Sequence, residues 1–232
     1  SIRTYKGTLS EDMAGWSITM GDIDSDGRDD LLVGSSGYNS NRGGISIFSG
    51  DNLPSNNSLI DSAYNFFPGD QNGDSAGYHI GFFQNFTGDG TPTLAVGAPG
   101  VNNNQGRVYL LYGDDAYFGG DFDDAYLTVT GTSTNYVGRG FAEDLDLDGD
   151  GIDDLFGYYA NGADNYLWLL YGGVTGSMTL SNVDAKFSTT GDQTFMRNHF
   201  PRVGDLDGDG TTDTVFCDGD TDDNGVGKVW IL

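Results

Sequence analysis

Four stretches of this chain repeat one another at intervals near sixty residues, and that periodicity limits the available folds more than any other feature. Each stretch opens on an aromatic-glycine segment: AGWSITMG (14–21), AGYHIGFF (76–83), VGRGFAED (137–144) and MRNHFPRV (196–203). A loop follows, starting at Asp22, Asn85, Asp146 and Asp205, so the intervals are 63, 61 and 59 residues. Behind each loop comes a short apolar run: DLLVGSSG (30–37), TLAVGAPG (93–100), DLFGYYANG (154–162) and DTVFCDGD (213–220). A further run completes the pattern at GISIFSG (44–50), GRVYLLYG (106–113), NYLWLLYG (165–172) and GKVWIL (227–232).

β-branched and aromatic residues bounded by Gly, Asn and Asp read as strands, and no segment of useful length carries helical spacing. A fourth strand follows in the first three units, at AYNFFPG (63–69), AYLTVTG (125–131) and AKFSTTG (185–191). Its remaining copy is RTYKGTL (3–9), at the start of the chain. The expected fold is all-β: a single domain over residues 1–232, a β-propeller of four four-stranded blades. The repeats fall near 10–69, 70–131, 132–191 and 192–232 plus 1–9. The N-terminal outer strand is expected to pair with the C-terminal blade and close the ring within one monomer. A dimer sharing a larger ring, or an excerpt of a longer propeller, are the alternatives.

Three loops share the spacing D-x-D-x-D-G-x-x-D. They are Asp22, Asp24, Asp26, Gly27 and Asp30; Asp146, Asp148, Asp150, Gly151 and Asp154; and Asp205, Asp207, Asp209, Gly210 and Asp213. Carboxylates at positions 1, 3 and 5 of a tight turn converge on one point, and the glycine permits the reversal. Position 9 closes the shell, while position 7 offers a backbone carbonyl, here from Arg28, Ile152 and Thr211. Such a set supplies the roughly six to eight hard oxygen ligands of Ca2+. The loops hold no Cys or His, which disfavours zinc and copper. A solvated acidic turn without an ion is the competing reading, and three copies in register weigh against it.

These loops are not EF-hands: the bidentate Glu of position 12 is replaced by Val33, Gly157 and Phe216, and strands flank the loop. The second loop, NFTGDGTPT (85–93), keeps Asp89 but sets Asn85, Thr87 and Thr93 at the other ligand positions. About three calcium sites are therefore expected, with the second-repeat loop empty or weak.

Composition agrees. Of 35 acidic residues only Glu11 and Glu143 are glutamate, and aspartate dominates where a short carboxylate must bend into a turn. The net charge of −25 would fall to −19 with three divalent ions bound, and it argues against nucleic acid or an anionic membrane as partner. No window approaches the ~18 apolar residues of a membrane-spanning helix, so no membrane insertion is expected. Ser1 begins without a basic-then-apolar leader, so a secretion signal is expected to be absent or already removed. Cys217, the single cysteine, excludes a disulfide framework and reads as a buried inert thiol.

Other residues carry two readings each. His79 and His199 occupy equivalent positions in the second and fourth repeats, either as a ligand pair across an axis or packed between blades. Trp16, Trp168 and Trp230 read as core, or as a stacking surface for a sugar. The Asn-rich segments SGYNSNRG (36–43) and GVNNNQG (100–106) are recognition loops or turns.

The order aromatic-glycine, D-x-D-x-D-G-x-x-D, then an apolar strand ending in Gly-Ala-Pro resembles the FG-GAP repeat of integrin α-subunit propellers. VGAPG (96–100) carries the second half of that signature, and AGW (14–16) and AGY (76–78) are near forms of the first. The resemblance implies one blade per repeat, calcium in the loops joining first and second strands, and ligands met on the opposite face. Integrin propellers have seven blades where four are counted here, and Gly-Ala-Pro is intact only in the second repeat.

The expected function is a calcium-binding binding or adhesion module, extracellular or on a cell surface, that meets a protein or glycan ligand. A lectin is the alternative, and a polysaccharide-degrading propeller enzyme the second. No catalytic constellation stands out, so no enzyme is expected; His199, Arg197 and Arg202 are the one cluster that hints at lyase chemistry.

Overall fold

A computed structural model of the chain describes residues 4–51, 53, 58–161, 164–188, 202–204, 206–208, 213–218 and 228–231. The fold is all-β. The first sheet is an antiparallel meander of β1 (Ala14–Gly21), β2 (Asp30–Ser35), β3 (Gly44–Phe48) and β4 (Asn65–Pro68). The second repeats it with β5 (His79–Phe83), β6 (Thr93–Ala98), β7 (Arg107–Tyr112) and β8 (Leu127–Thr130). The third holds β9 (Phe141–Leu145), β10 (Asp154–Asn161), β11 (Asp164–Leu170) and, after an excursion through β12 (Gly176–Thr179), β13 (Ala185–Ser188). Three strands of the last sheet are described: β14 (Arg202–Gly204), β15 (Asp213–Asp218) and β16 (Lys228–Ile231).

The first three sheets are stacked face to face with their first strands side by side, β1 beside β5 and β5 beside β9, a propeller-like arrangement. Apolar residues on the facing sides of neighbouring sheets fill the spaces between the first three repeats. Leu32, Ile45 and Ile47 meet Ile80, Leu94 and Val96 between the first two sheets. Ala95, Val108 and Leu110 meet Phe141, Leu155 and Trp168 between the next two. Each fully buried Leu, Ile or Phe adds about 1.5–3 kcal/mol, so these two interfaces dominate the stability of the described part. Gly157 admits the Trp168 ring: a β-carbon there would stand 2.4 Å from it.

Polar hooks tie successive repeats together. Residues Asn39, Ser40 and Asn41 have φ of 47, 62 and 57°, and Asn102, Asn103 and Asn104 have 53, 58 and 68°. Each trio is one turn of left-handed helix, a conformation that costs most L-residues about 1–2 kcal/mol apiece and asparagine least. The turns aim carbonyls at the next repeat. Asn41 accepts from the Ser75 N–H at 2.8 Å and Asn104 from the Tyr136 N–H at 2.9 Å, beside the bridges Gly43–Ala76 and Gly106–Val137. Asp12, Asp74 and Asn135, all buried, then cap the segment entering each repeat by accepting backbone N–H groups.

Three expectations are corrected. RTYKGTL does not extend the last sheet among the described residues; Lys6 bridges Ser58 and its carbonyl accepts the Leu59 N–H at 2.8 Å, while Tyr5 packs on Phe48. Local pattern suggested a strand, but the nearer partner took it. The second sheet gains a fifth strand, β12, pairing parallel with β8. Trp16 stands outside the core formed by the described residues: it is 50% exposed, as Ile18 and Met20 are 65% exposed on the same face of β1. The positions matching Ile18 in the next repeats, Ile80 and Phe141, are 2% and 1% exposed. Trp168 is buried, and the side chain of Trp230 lies outside the described residues.

Candidate metal centres

The first three of these loops join the first and second strands of their sheets, so they sit at one end of the stack. In the first, the Asp22 carboxylate accepts the N–H groups of Asp26 and Gly27, both at 2.9 Å, which folds the loop back on its own first residue. Gly27 takes φ of 90° to allow it. Asp30, buried at the start of β2, accepts Ile23 N–H at 3.2 Å and Gly50 N–H at 2.9 Å. That carboxylate therefore locks the loop to the end of β3. The third loop repeats the plan: Asp146 accepts from Asp150 at 3.1 Å and Gly151 at 2.9 Å, and Asp154 accepts from Leu147 at 2.7 Å and Gly172 at 3.0 Å.

The outcome is two clusters. Carboxylate oxygens of Asp22, Asp24 and Asp30 lie within 4.8 Å of one another, as do those of Asp146, Asp148 and Asp154. Asp26 and Asp150 stand outside these clusters, each accepting the N–H two residues on, from Arg28 at 2.9 Å and Ile152 at 2.8 Å. The Arg28 guanidinium pairs with Asp51, away from the cluster, and the Ile152 side chain packs against Gly88 and Gly172. In the fourth loop Asp213 accepts Leu206 N–H at 2.8 Å, the same position-9 contact, and Asp207 is described. Asp205, Asp209 and Thr211 lie outside the described residues.

The electrostatics fit a divalent cation. Burial pushes the Asp154 carboxyl up to about 6, aided by Asp148 and Asp146 and opposed by the N–H groups of Leu147 and Gly172. Asp30 is raised for the same reason, burial first, with Asp24 and Asp26 adding repulsion. Three carboxylates converging without a basic side chain between them form a hard, all-oxygen donor set, the set calcium takes.

The second loop keeps the shape by other means. Asn85 Oδ1 accepts Gly90 N–H at 2.7 Å, the bond Asp22 and Asp146 make, and Asp89 is held down to about 2 by hydrogen bonds from Thr87 and Thr91. Asn85 also reaches sideways. Its Nδ2 donates to the Gly151 carbonyl at 2.6 Å, and its N–H donates to Asp153 Oδ2 at 2.7 Å. The second loop thus braces the third, a role that nothing in the ligand spacing discloses. Alignment of the repeats would have found the capping Asp12, Asp74 and Asn135, which recur at intervals of 62 and 61.

Of the other singled-out residues, His79 sets its ring edge-on to Phe141 at 4.5 Å, and burial lowers its pKa to about 4. His199 and Arg197 lie outside the described residues, as does the side chain of Arg202. Glu143 points where three sheets meet: it accepts from Phe82 N–H, and the Thr19 hydroxyl stands 3.5 Å away.

Comparison with known proteins gives three kinds of likeness. Residues 14–48 match the FG-GAP repeat. Phosphatidylinositol-glycan-specific phospholipase D of Rattus norvegicus is 33% identical over 153 residues, 61% of this chain and 18% of that protein. Its Homo sapiens counterpart is 34% identical over 110 residues, 43% of this chain and 13% of that protein. The chain thus spans less than a fifth of the curated relatives it matches. Among solved structures, the exotype rhamnogalacturonan lyase YesX superposes with a TM-score of 0.49 at 13% identity, over 87% of this chain and 38% of that one. The Bacillus licheniformis rhamnogalacturonan lyase gives 0.49 at 13% identity, over 91% and 42%.

Proposed function

From the FG-GAP repeat at residues 14–48, we propose that this chain is an extracellular, calcium-braced binding module of the integrin-like type. The observation that carries the reading is the pair of convergent carboxylate triads, each locked to the core through a buried Asp30 or Asp154. Calcium is held by Asp22, Asp24 and Asp30 in the first repeat and by Asp146, Asp148 and Asp154 in the third. Asp205, Asp207 and Asp213 form the corresponding set in the fourth. Asp26 and Asp150 swing in from their turns, and Asp209 takes the same part in the fourth, with the carbonyls of Arg28, Ile152 and Thr211, to complete each shell. An ion at 100 times its dissociation constant adds about 2.7 kcal/mol to the folded state.

The four sheets close into one ring, with the last sheet covering Trp16, Ile18 and Met20. Register supports this. Val215 pairs with Ile231 and Cys217 with Val229, the positions that in the first sheet hold Leu32 with Ile47 and Gly34 with Ile45 and face the next repeat. The module binds rather than catalyses. A match to 18% of a phospholipase suits a repeat module carried by an enzyme better than the enzyme itself. The ligand, protein or glycan, docks at the end of the stack opposite the acidic loops.

Calorimetric titration of the metal-free protein with calcium, beside thermal melts, tests the reading. At least two equivalents should bind and raise the melting temperature. Asp148→Ala should lose one equivalent and lower the melting temperature in calcium, while changing little in chelator. Equal destabilisation in both conditions, or no heat of binding, would overturn it.

A further inference from the structure

The face of the second sheet that turns toward the first carries, near β8, a polar groove at a place the first sheet, on the same frame, has filled. In the first repeat Gly44 and Ser46 on β3 leave space, and Phe66 and Tyr38 occupy it, meeting edge to face at 4.9 Å with Phe66 over Gly44. In the second repeat large and small are exchanged across the same register. Arg107 and Tyr109 stand on β7, opposite Thr130 and Thr128 on β8. What remains is a cavity of about 440 Å³ between the 70–74 segment and the left-handed turn at 101–104. A neighbouring cavity of about 410 Å³ continues it over Thr128 to Ser177 and Thr179 of β12.

Arg107 and Tyr109 line both cavities. The Arg107 Nε donates to Thr130 Oγ1 at 2.9 Å, and its guanidinium lies 5.3 Å from the Tyr109 ring centre. Tyr109 and Phe122, buried and 4.8 Å apart, make a closed floor that offers no slot for an apolar side chain. The rim offers amides, hydroxyls, and the carboxylates of Asp70 and Asp123 around one guanidinium.

We propose that this groove binds a neutral oligosaccharide; the proposal rests on the reading of the chain as a binding module and names its ligand class. Each sugar hydroxyl both donates and accepts, and so finds partners among closely spaced amides, hydroxyls and carboxylates. Acidic sugars meet Asp70, Asp123 and a net charge of −25. The groove opens at the end of the sheets opposite the acidic loops, between 70–74 and 101–104, and runs along β8, and the excursion of the chain through β12 builds its far wall.

The test gives the second repeat the plug of the first, as R107G/T128F. A second variant, Ser177→Trp on the exposed edge strand, obstructs the groove without touching its floor. Wild type and variants are applied in millimolar calcium to an array of neutral, uronic-acid and sialylated oligosaccharides, and hits are titrated by calorimetry. Wild type should bind neutral oligosaccharides, and both variants should bind them at least tenfold more weakly with calcium stoichiometry kept. Binding of acidic oligosaccharides alone, of none, or undiminished binding in folded Ser177→Trp overturns the proposal. In the last case the chain still binds a ligand and only the location fails, while calcium titration reports separately on the metal centres.

Discussion

At the scale of single residues, the acids of the third loop do two jobs that pull apart as pH changes. Asp154 has an ordinary pKa of 3.8 and in the metal-free fold is raised to about 6, chiefly by burial. The folded state then holds a proton that the unfolded chain has released, so this residue's contribution to stability falls as pH rises from about 4 to 6. Calcium needs the carboxylate, so its binding strengthens over the same rise. Calorimetric calcium titrations at pH 5, 6 and 7 should show affinity at the third loop dropping several-fold below pH 6. A flat profile would mean that Asp154 ionises as an exposed acid does. The convergence of Asp22, Asp24 and Asp30, and of Asp146, Asp148 and Asp154, was legible because carboxylate spacing in a turn is a local property. The splay of Asp26 and Asp150 was not, because it depends on which N–H groups the turn leaves free.

Elements were legible where their pattern is local and hidden where a neighbour decides. Every strand of the first three meanders can be read from alternating apolar runs, because each pairs with a neighbour in its own repeat. GSMT (176–179) escaped notice, being short and joined to a sheet outside its own repeat, by an edge that only the folded β8 provides. The Asn-rich segments were read either as recognition loops or as turns; their φ values and hooks make them turns, and one of them also walls a groove. The brace between loops makes a prediction of its own. Asn85→Ala removes the Nδ2 bond to Gly151 and should weaken calcium at the third loop about tenfold, or about 1.4 kcal/mol. Calcium at the first loop should be unchanged. Paired titrations of Asn85→Ala and of Asn85→Ala with Asp24→Ala separate the two loops, and equal weakening of both would dismiss the brace.

For the whole molecule, charge sets the terms. A net −25 on 232 residues repels itself, and the repulsion is screened over about 8 Å at physiological salt. The metal-free protein should therefore melt higher as sodium chloride is raised from low concentration to 0.5 M. The gain should shrink once calcium has neutralised the loops. Scanning calorimetry over salt, with and without calcium, measures the difference, and an equal slope in both would show that the loops hold no ion. The stacking of the first three repeats was legible from the period. The exposed flank of β1 was not, because its residues match positions that are buried in the next two repeats.

The lean of the second loop on the third also bears on how such chains drift. A loop that takes its shape from a neighbour's backbone can lose its acids by mutation without unravelling, provided the neighbour keeps its own. Two adjoining loops cannot both be released in this way. Among descendants of one ancestral repeat array, decayed loops should therefore be spaced apart, each beside an intact one, as Asn85 stands beside Asp146 to Asp154 here.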